Sequence, residues 1–270
     1  MQITSAMKMV SAAKLKKAQD AITAMRPYSS KLTELLSSLS ATLDSDSQSQ
    51  FAIQRKVNKV LVIGVTSNRG LAGAFNSSIT KEVSRLVRED YAGKEVSFIA
   101  VGKKMNDMLS RAGLTVRDNQ SEVFDDLTFD RVAMIAQAAM DAFTAGEVDR
   151  VVLVYNRFKN AATQITTVEQ FLPILPIDGD ATAASEYIYE PNVEEIVEQL
   201  IPKSLKMQMY KAVRDSFASE HGARMTAMHK ATDNAGELRD SLKLTYNKAR
   251  QAAITNEILE IVGGAEALAG

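Results

Sequence analysis

The segment of this chain that looks most like a ligand-binding site is a glycine-containing loop between a predicted strand and a predicted helix. Residues 64–76 read Gly-Val-Thr-Ser-Asn-Arg-Gly-Leu-Ala-Gly-Ala-Phe-Asn. Phosphate groups commonly bind at such turns, because backbone N–H groups at a helix N-terminus point at them. Here the glycine spacing is not G-x-G-x-x-G, no Gly-Lys-Ser/Thr follows, and Val101, Gly102 and Lys103 stand where ribose recognition requires an acidic residue. The sequence therefore favours a tight surface turn over a nucleotide site.

Few other residues of the chain suit catalysis. The 270 residues include no Cys, which excludes disulfides, thiolate chemistry and Cys-ligated metal. The two histidines, His221 and His229, would lie about 80° apart on a helix, which is not the i, i+4 geometry of a helical metal pair. We expect both to be solvated or interfacial, and we expect a non-catalytic chain without a cofactor.

A segment near the C-terminus, residues 246–265, carries the most informative pattern. On a helical wheel it has a small and apolar side and, opposite, a second apolar side. The members are Ala249, Ala252 and Leu259 on the first side, and Ile254, Ile258 and Ile261 on the second, beside Arg250 and Glu257. An exposed helix is usually apolar on one face, whereas a surrounded helix can be apolar nearly all round. The pattern predicts a helix surrounded by other chains; the alternative is contact with further residues of its own chain.

This segment belongs to one of two long helices predicted at the chain ends. No proline follows Pro202, so residues 203–270 can form a helix of roughly 100 Å. Its apolar and small residues recur every three or four positions, which predicts the single seam of a two-helix coiled coil. The seam consists of Leu205, Met209, Val213, Phe217, Met225, Met228, Ala231, Ala235, Leu238, Leu242, Thr245, Ala249, Ala252 and Leu259. Residues 1–50 have the same helical spacing up to a polar linker at 44–50, with a kink expected at Pro27.

Between the two ends, residues 56–202 alternate between predicted strands and helices. The predicted strands are 59–65, 95–101, 114–116, 150–155 and 164–172, the last antiparallel or at an edge, and the helices are 74–90, 103–111, 130–143 and 193–200. This order is typical of a mostly parallel sheet covered by helices. The predicted fold class is α/β: an antiparallel two-helix coiled-coil shaft from residues 1–50 and 203–270, with an inserted Rossmann-like, mostly parallel α/β domain at 56–202.

Charge and hydropathy point away from nucleic acid and from bilayer insertion. The net charge is −1, so the whole chain has no bulk attraction to polyanions. The longest apolar runs, at 60–65 and 151–155, are far too short to cross a bilayer. No basic-then-apolar leader opens the sequence. We expect an unsecreted protein that reaches a membrane only through a partner.

Three separated motifs carry a resemblance to a known family. The first, near the C-terminus, is Ile254-Thr255-x-Glu257-x-x-Glu260-x-x-x-Gly264-Ala265-x-Ala267, and the resemblance extends to the segments 223–228 and 246–251 before it. The second is the opening segment 3–14, and the third is the loop 66–73. In these motifs, and over nearly its whole length, the chain resembles the gamma subunit of F-type ATP synthase. Ala72 stands where many members have Cys.

The resemblance implies a rotor. The paired helices would turn inside a ring of alternating alpha and beta subunits (alpha3beta3), which carries the nucleotide chemistry. The α/β domain would contact the epsilon subunit and the ring of c subunits. The residues implied to contact the alpha–beta ring are Met7, Lys8, Arg250, Gln251, Ile254, Thr255, Glu257, Ile258 and Ile261.

The same resemblance implies a peripheral protein at the cytoplasmic face of the bacterial plasma (inner) membrane, with the mitochondrial inner membrane as the alternative. Two other functions remain open from the residues themselves. One is a nucleotide- or nicotinamide-binding enzyme that uses the α/β domain, and the other is a coiled-coil scaffold unrelated to energy conversion.

Overall fold

The computed structural model describes residues 2–40, 50–174 and 193–269. In these ranges the elements are α1 (Gln2–Ser40), β1 (Lys59–Val65), α2 (Phe75–Arg85), β2 (Glu95–Val101), α3 (Lys103–Arg111), β3 (Val116–Asn119), α4 (Phe129–Thr144), β4 (Arg150–Phe158), β5 (Gln164–Leu172) and α5 (Val193–Ala269). A π-helical turn, Leu86–Asp90, continues α2, and a 3-10 turn, Ser121–Phe124, precedes α4. Most of the polar linker predicted at 44–50 lies outside the described residues. None of the described helices combines the length and the apolar character needed to span a bilayer.

The five strands form one sheet in the order β3-β2-β1-β4-β5. The pairs β3–β2, β2–β1 and β1–β4 are parallel, and only β4–β5 is antiparallel. The prediction of a mostly parallel sheet, with its last strand antiparallel or at an edge, is therefore confirmed, and β5 is both. The third strand begins two residues later than the predicted 114–116, because its polar sequence Val-Arg-Asp-Asn carries no apolar pattern.

Side chains of the sheet alternate between two buried layers, as the period of a strand requires. In β1, Leu61, Ile63 and Val65 pack on the face covered by α4 and α5. Val60 and Val62 pack on the opposite face, against α2 and α3. The sheet is thus the middle layer of three, and its continuous apolar strands follow from burial on both faces.

Helix α5 passes through Pro202 without a break. The predicted end of a short helix before this proline is therefore wrong. A proline inside a helix costs about 3 kcal/mol, because it removes one backbone hydrogen bond and clashes with the preceding turn. The buried neighbours Leu205 and Met209, with the half-buried Ile201 beside them, pack into the sheet core and offset that cost.

Helices α1 and α5 are antiparallel, as predicted. Thr232 of α5 donates to the Thr4 hydroxyl at the start of α1, at 2.8 Å. Further along α1, Ala18 and Ile22 pack in one cluster with Ala218, which lies earlier on α5. Extending this pairing places residue 2 of α1 level with about residue 234 of α5. Helix α5 therefore continues about 50 Å beyond α1, over residues 236–269.

The predicted seam is only partly correct. Its first members, Leu205, Met209 and Val213, are buried against the sheet and α4 rather than against α1. Half-buried Phe217 and Met225 pack beside α1, as predicted. The later members lie beyond the paired part of α5 and are exposed, so the pairing predicted for them is not tested: Leu238, Leu242, Thr245, Ala249, Ala252 and Leu259.

Candidate functional site

The loop after β1 uses its own polar groups to fix its shape. The Thr66 N–H donates to the Val101 carbonyl at 2.8 Å, and the Thr66 hydroxyl accepts from the Met105 N–H at 2.7 Å. The Ser67 N–H donates to the Asn76 side-chain oxygen at 3.0 Å. A phosphate-binding loop instead presents free backbone N–H groups to its ligand. The geometry therefore supports the interpretation of this loop as a tight turn.

The crevice where doubly wound sheets bind ligands lies at the carboxyl ends of the strands, where the strand order reverses, here between β1 and β4. Buried Asn156 lies at this edge. It donates to the Phe75 carbonyl at 3.0 Å and accepts from Thr166 at 2.9 Å. Ser219 of α5 donates to the Asn156 carbonyl at 2.9 Å. Helix α5 and its hydrogen-bond partners thus occupy the crevice.

A buried charged cluster joins α5 to the loop after β1. Glu220 and Arg224 form an ion pair, and each side chain is only 9% exposed. Burial raises the pKa of Glu220, and Arg224 opposes that rise. A second guanidinium nitrogen of Arg224 approaches the carbonyl oxygens of Arg69 and Gly70 at 3.3 and 3.4 Å. The pair holds the loop against the helix.

His221 lies beside this cluster and is only 4% exposed. Its ring packs edge-on against the Phe217 ring, with 4.5 Å between the two ring centroids. Neither ring nitrogen of His221 has a hydrogen-bond partner among the described residues. Burial, together with the positive charges of Arg224 and Lys14, lowers the pKa of His221 to about 3. The expectation of a solvated or interfacial histidine is wrong for His221, because packing around α5 buries it. It holds for His229, whose exposed side chain lies 3.4 Å from the Asp233 carboxylate.

The residues that the resemblance implies as contacts fall into two separate groups. Met7 and Lys8 are half-buried on α1, about level with residue 229 of α5. The others are exposed on the bare end of α5, and the nearest, Arg250, lies about 30 Å from Met7. These others are Arg250, Gln251, Ile254, Thr255, Glu257, Ile258 and Ile261. The structure does not bring the two groups together.

The bare end of α5, residues 236–269, exposes apolar side chains on two opposite sides. Ile254, Ile258 and Ile261 are 48%, 54% and 66% exposed and form one stripe. The opposite side carries Leu238, Leu242 and Leu259, each about 60% exposed. Apolar patches of this extent mark interaction surfaces in soluble proteins. Within the described ranges, no group of three or more His, Asp or Glu residues is placed to hold a metal ion.

Comparisons with protein-family models and with known proteins agree on one family. The model of the protein family described as ATP synthase matches residues 1–268. The ATP synthase gamma chain of Flavobacterium psychrophilum is 70% identical over 272 aligned residues, which cover 100% of this chain and 94% of that protein. The chain belongs to the ATP synthase gamma-chain family. A more distant relative, the ATP synthase gamma chain of Chlorobaculum tepidum, is 47% identical over 99% of this chain and 93% of its own length.

Solved structures of this family share the fold. The central stalk and c-ring structure of Tetrahymena thermophila mitochondrial ATP synthase contains a chain that is 28% identical, with a TM-score of 0.63, and the match covers 85% of this chain and 99% of that one. A rotor chain of Euglena gracilis mitochondrial ATP synthase matches with a TM-score of 0.64 at 23% identity, over 94% of this chain and 93% of that chain. The latter likeness concerns the fold alone.

The sequence reasoning missed several polar residues of α5 that lie within the α/β domain. Ser219 and Arg214 are among them, and both donate to backbone carbonyls of that domain. The sequence carries no clear signal for them: the serine and charged side chains of residues 215–224 cover only about half of the helix circumference, as they also would on a half-exposed amphipathic helix.

Proposed function

We propose that this chain is the non-catalytic central-stalk rotor of an ATP synthase, which couples the turning of a c-subunit ring to the nucleotide sites of an alpha–beta ring. The observation that carries the proposal is the two-part character of α5. Its first part is buried in the α/β domain, and its last 34 residues stand free with apolar side chains on two opposite sides.

The bare end of α5 suits a sleeve of other subunits. Two opposite apolar stripes cannot both be covered by one neighbouring helix, so a surrounding ring suits them better than a single partner. Alpha and beta subunits would form this sleeve, with Arg250 and Gln251 among the contacts. Met7 and Lys8 would meet the ring nearer its opening, about 30 Å lower along the shaft.

The α/β domain would be the foot, in contact with the epsilon subunit and the c-subunit ring. Its ligand crevice is occupied by Asn156 and Ser219, which supports a structural role for the domain rather than nucleotide binding. The rotor would then lie at the cytoplasmic face of the bacterial inner membrane, held there by its partners.

Site-directed cross-linking tests this function. The chain has no Cys, so Ile258→Cys introduces its only thiol, on the exposed end of α5. The variant is assembled with alpha and beta subunits, labelled with benzophenone maleimide and illuminated. We expect cross-links to alpha or beta and a matching loss of ATP hydrolysis, because a rotor fixed to its ring cannot turn.

The matched control is Lys94→Cys, an exposed position just before β2, at the end of the sheet remote from the bare helix. Label at this position should not reach the alpha–beta ring. Full hydrolysis after complete cross-linking at position 258, or equal cross-linking at both positions, would contradict the rotor function.

A further inference from the structure

We propose that torque passes between the α/β domain and α5 through a collar of directed hydrogen bonds around residues 208–226, in which Arg214 and Ser219 are positioning residues. The inference rests on the rotor function proposed above. It concerns where the shaft is held, and it is independent of the contacts at the bare end of α5.

The collar consists of five polar side chains of α5 that each donate to a different part of the domain. Gln208 donates to Glu169 of β5 at 2.6 Å, Arg214 to the Leu127 carbonyl at 2.7 Å and Ser219 to the Asn156 carbonyl at 2.9 Å. Arg224 donates to the Arg69 and Gly70 carbonyls at 3.3 and 3.4 Å. The single hydroxyl proton of Thr226 is shared between the Ala161 carbonyl at 3.2 Å and the Gly222 carbonyl of its own helix at 3.1 Å. Four of the five thus grip backbone carbonyls, which the domain fold fixes in place.

The five donor side chains project from α5 in three directions. With about 100° per residue, Gln208, Ser219 and Thr226 point within about 20° of one direction. On the same scale Arg224 points about 160° away, and Arg214 about 240° away. Along the axis the set spans about 27 Å. Because the bonds lie on three sides, a tilt of α5 in any direction strains at least one of them.

The burial of α5 at this level supports a collar that surrounds the helix. From Ala212 to Arg224 every residue of α5 is buried except Arg214 and Phe217, which are half-buried. A side chain added at Gly222 would meet Cα and the carbonyl oxygen of Ala161 at 3.2 Å, so the β4–β5 turn lies directly on the helix backbone. The helix is therefore enclosed at this level, in contrast to its bare end.

Directed bonds matter here because apolar contact alone resists twisting poorly. The hydrophobic effect is non-directional, whereas a hydrogen bond weakens steeply as its angle departs from linearity. Turning α5 about its axis inside the domain would break bonds on three sides at once. Arg214 is further fixed by its bond to the Tyr210 hydroxyl at 2.8 Å, which pre-orients its guanidinium towards Leu127.

The test compares proton transport with ATP hydrolysis in the assembled membrane complex. Arg214→Met keeps much of the side-chain volume but removes the donors, and Ser219→Ala removes a single oxygen. Lys211→Met is the matched control, because Lys211 lies on the same helix, is exposed and makes none of the collar bonds. Each complex is reconstituted into vesicles, and ATP-driven acidification is measured together with phosphate release.

We expect hydrolysis by both collar variants to stay near that of the unmodified complex, while protons moved per ATP fall at least twofold. The control should retain the unmodified ratio. An unchanged ratio in the collar variants, a proportional fall of both activities, or an equal effect of Lys211→Met would overturn the inference. If Arg214→Met does not assemble, Ser219→Ala decides by the same ratio. Loss of pumping by the unmodified complex would instead count against the rotor function itself.

Discussion

Acidification should weaken the junction of α1 and α5 through His221. The folded state buries this imidazole without hydrogen-bond partners, and burial lowers its pKa to about 3. The charged groups around it are Arg224 and Glu220 on α5 and Lys14 on α1. An unfolded histidine has a pKa of about 6.5. Between these two values the unfolded state binds more protons, so the stability supplied by the neutral imidazole is present above pH 6.5 and is lost as the pH falls towards 3.

The size of the effect follows from the two pKa values. At pH 5 the unfolded histidine is almost fully protonated and the folded one is almost fully neutral. Proton linkage then lowers the free energy of unfolding by about 2 kcal/mol relative to pH 8. This figure depends mainly on the unfolded pKa, because the folded pKa lies well below 5. The repulsion of the imidazolium by Arg224 and Lys14 is already contained in the low folded pKa and adds nothing further.

The assay is urea unfolding of the full chain followed by circular dichroism at pH 8 and pH 5. His221→Leu keeps a similar volume and removes the titrating group, so the wild type should lose about 2 kcal/mol more than this variant between the two pH values. Other titrating groups, Glu220 included, act in both proteins and largely cancel in the difference. His229→Leu is the control, because this second histidine is exposed. Parallel losses in the wild type and in His221→Leu would refute the assignment.

Three further outcomes are expected. Amide hydrogen exchange should be fast at residues 236–269 of the free chain, because almost all of them are exposed, and slow in the complex if the proposed sleeve covers them; equal protection in both states would contradict this. Arg250→Ala should lower ATP turnover or assembly yield while leaving the circular dichroism of the chain unchanged, since a partly exposed charge contact is worth about 0.2–1 kcal/mol. Gly102→Ala should lower the free energy of unfolding by at least about 3 kcal/mol, because φ is +101° and the new carbon would lie 2.2 Å from the Thr66 carbonyl. Gly93→Ala, at φ +73° in open space, should cost about 1 kcal/mol in the same urea experiment.

Element positions follow from sequence wherever burial imposes a pattern. The bounds of β1, β2, β5 and α3 match the predicted segments, because apolar runs or strict alternation mark strands that are packed by helices. The polar strand β3 has no such pattern, so its bounds were misplaced. Pro202 led to a wrong prediction for the opposite reason. The rule that proline ends a helix predicted a boundary at this residue, but the following turns pack into the sheet core and keep the helix continuous.

The register of the two long helices could not be read from the sequence. A seam of apolar and small residues shows which side of α5 faces a partner, but many registers satisfy it equally well. The Thr4–Thr232 contact fixes the register, which sets residue 2 of α1 level with about residue 234 of α5. The burial of His221 was likewise hidden, because it depends on elements that are distant in sequence, including the β4–β5 turn and α1.

A rotor needs a shaft that is fixed in its foot and free to turn at its other end, and two parts of α5 use different interactions for these two needs. At the collar, donors on three sides point at fixed carbonyls, and such contacts resist rotation because they are directional. At the bare end aliphatic side chains form two exposed stripes between polar ones, and beyond Arg250 the described helix carries no basic side chain. Apolar contact has no preferred angle about the axis, so a helix of this kind can turn inside a sleeve without breaking bonds at each step.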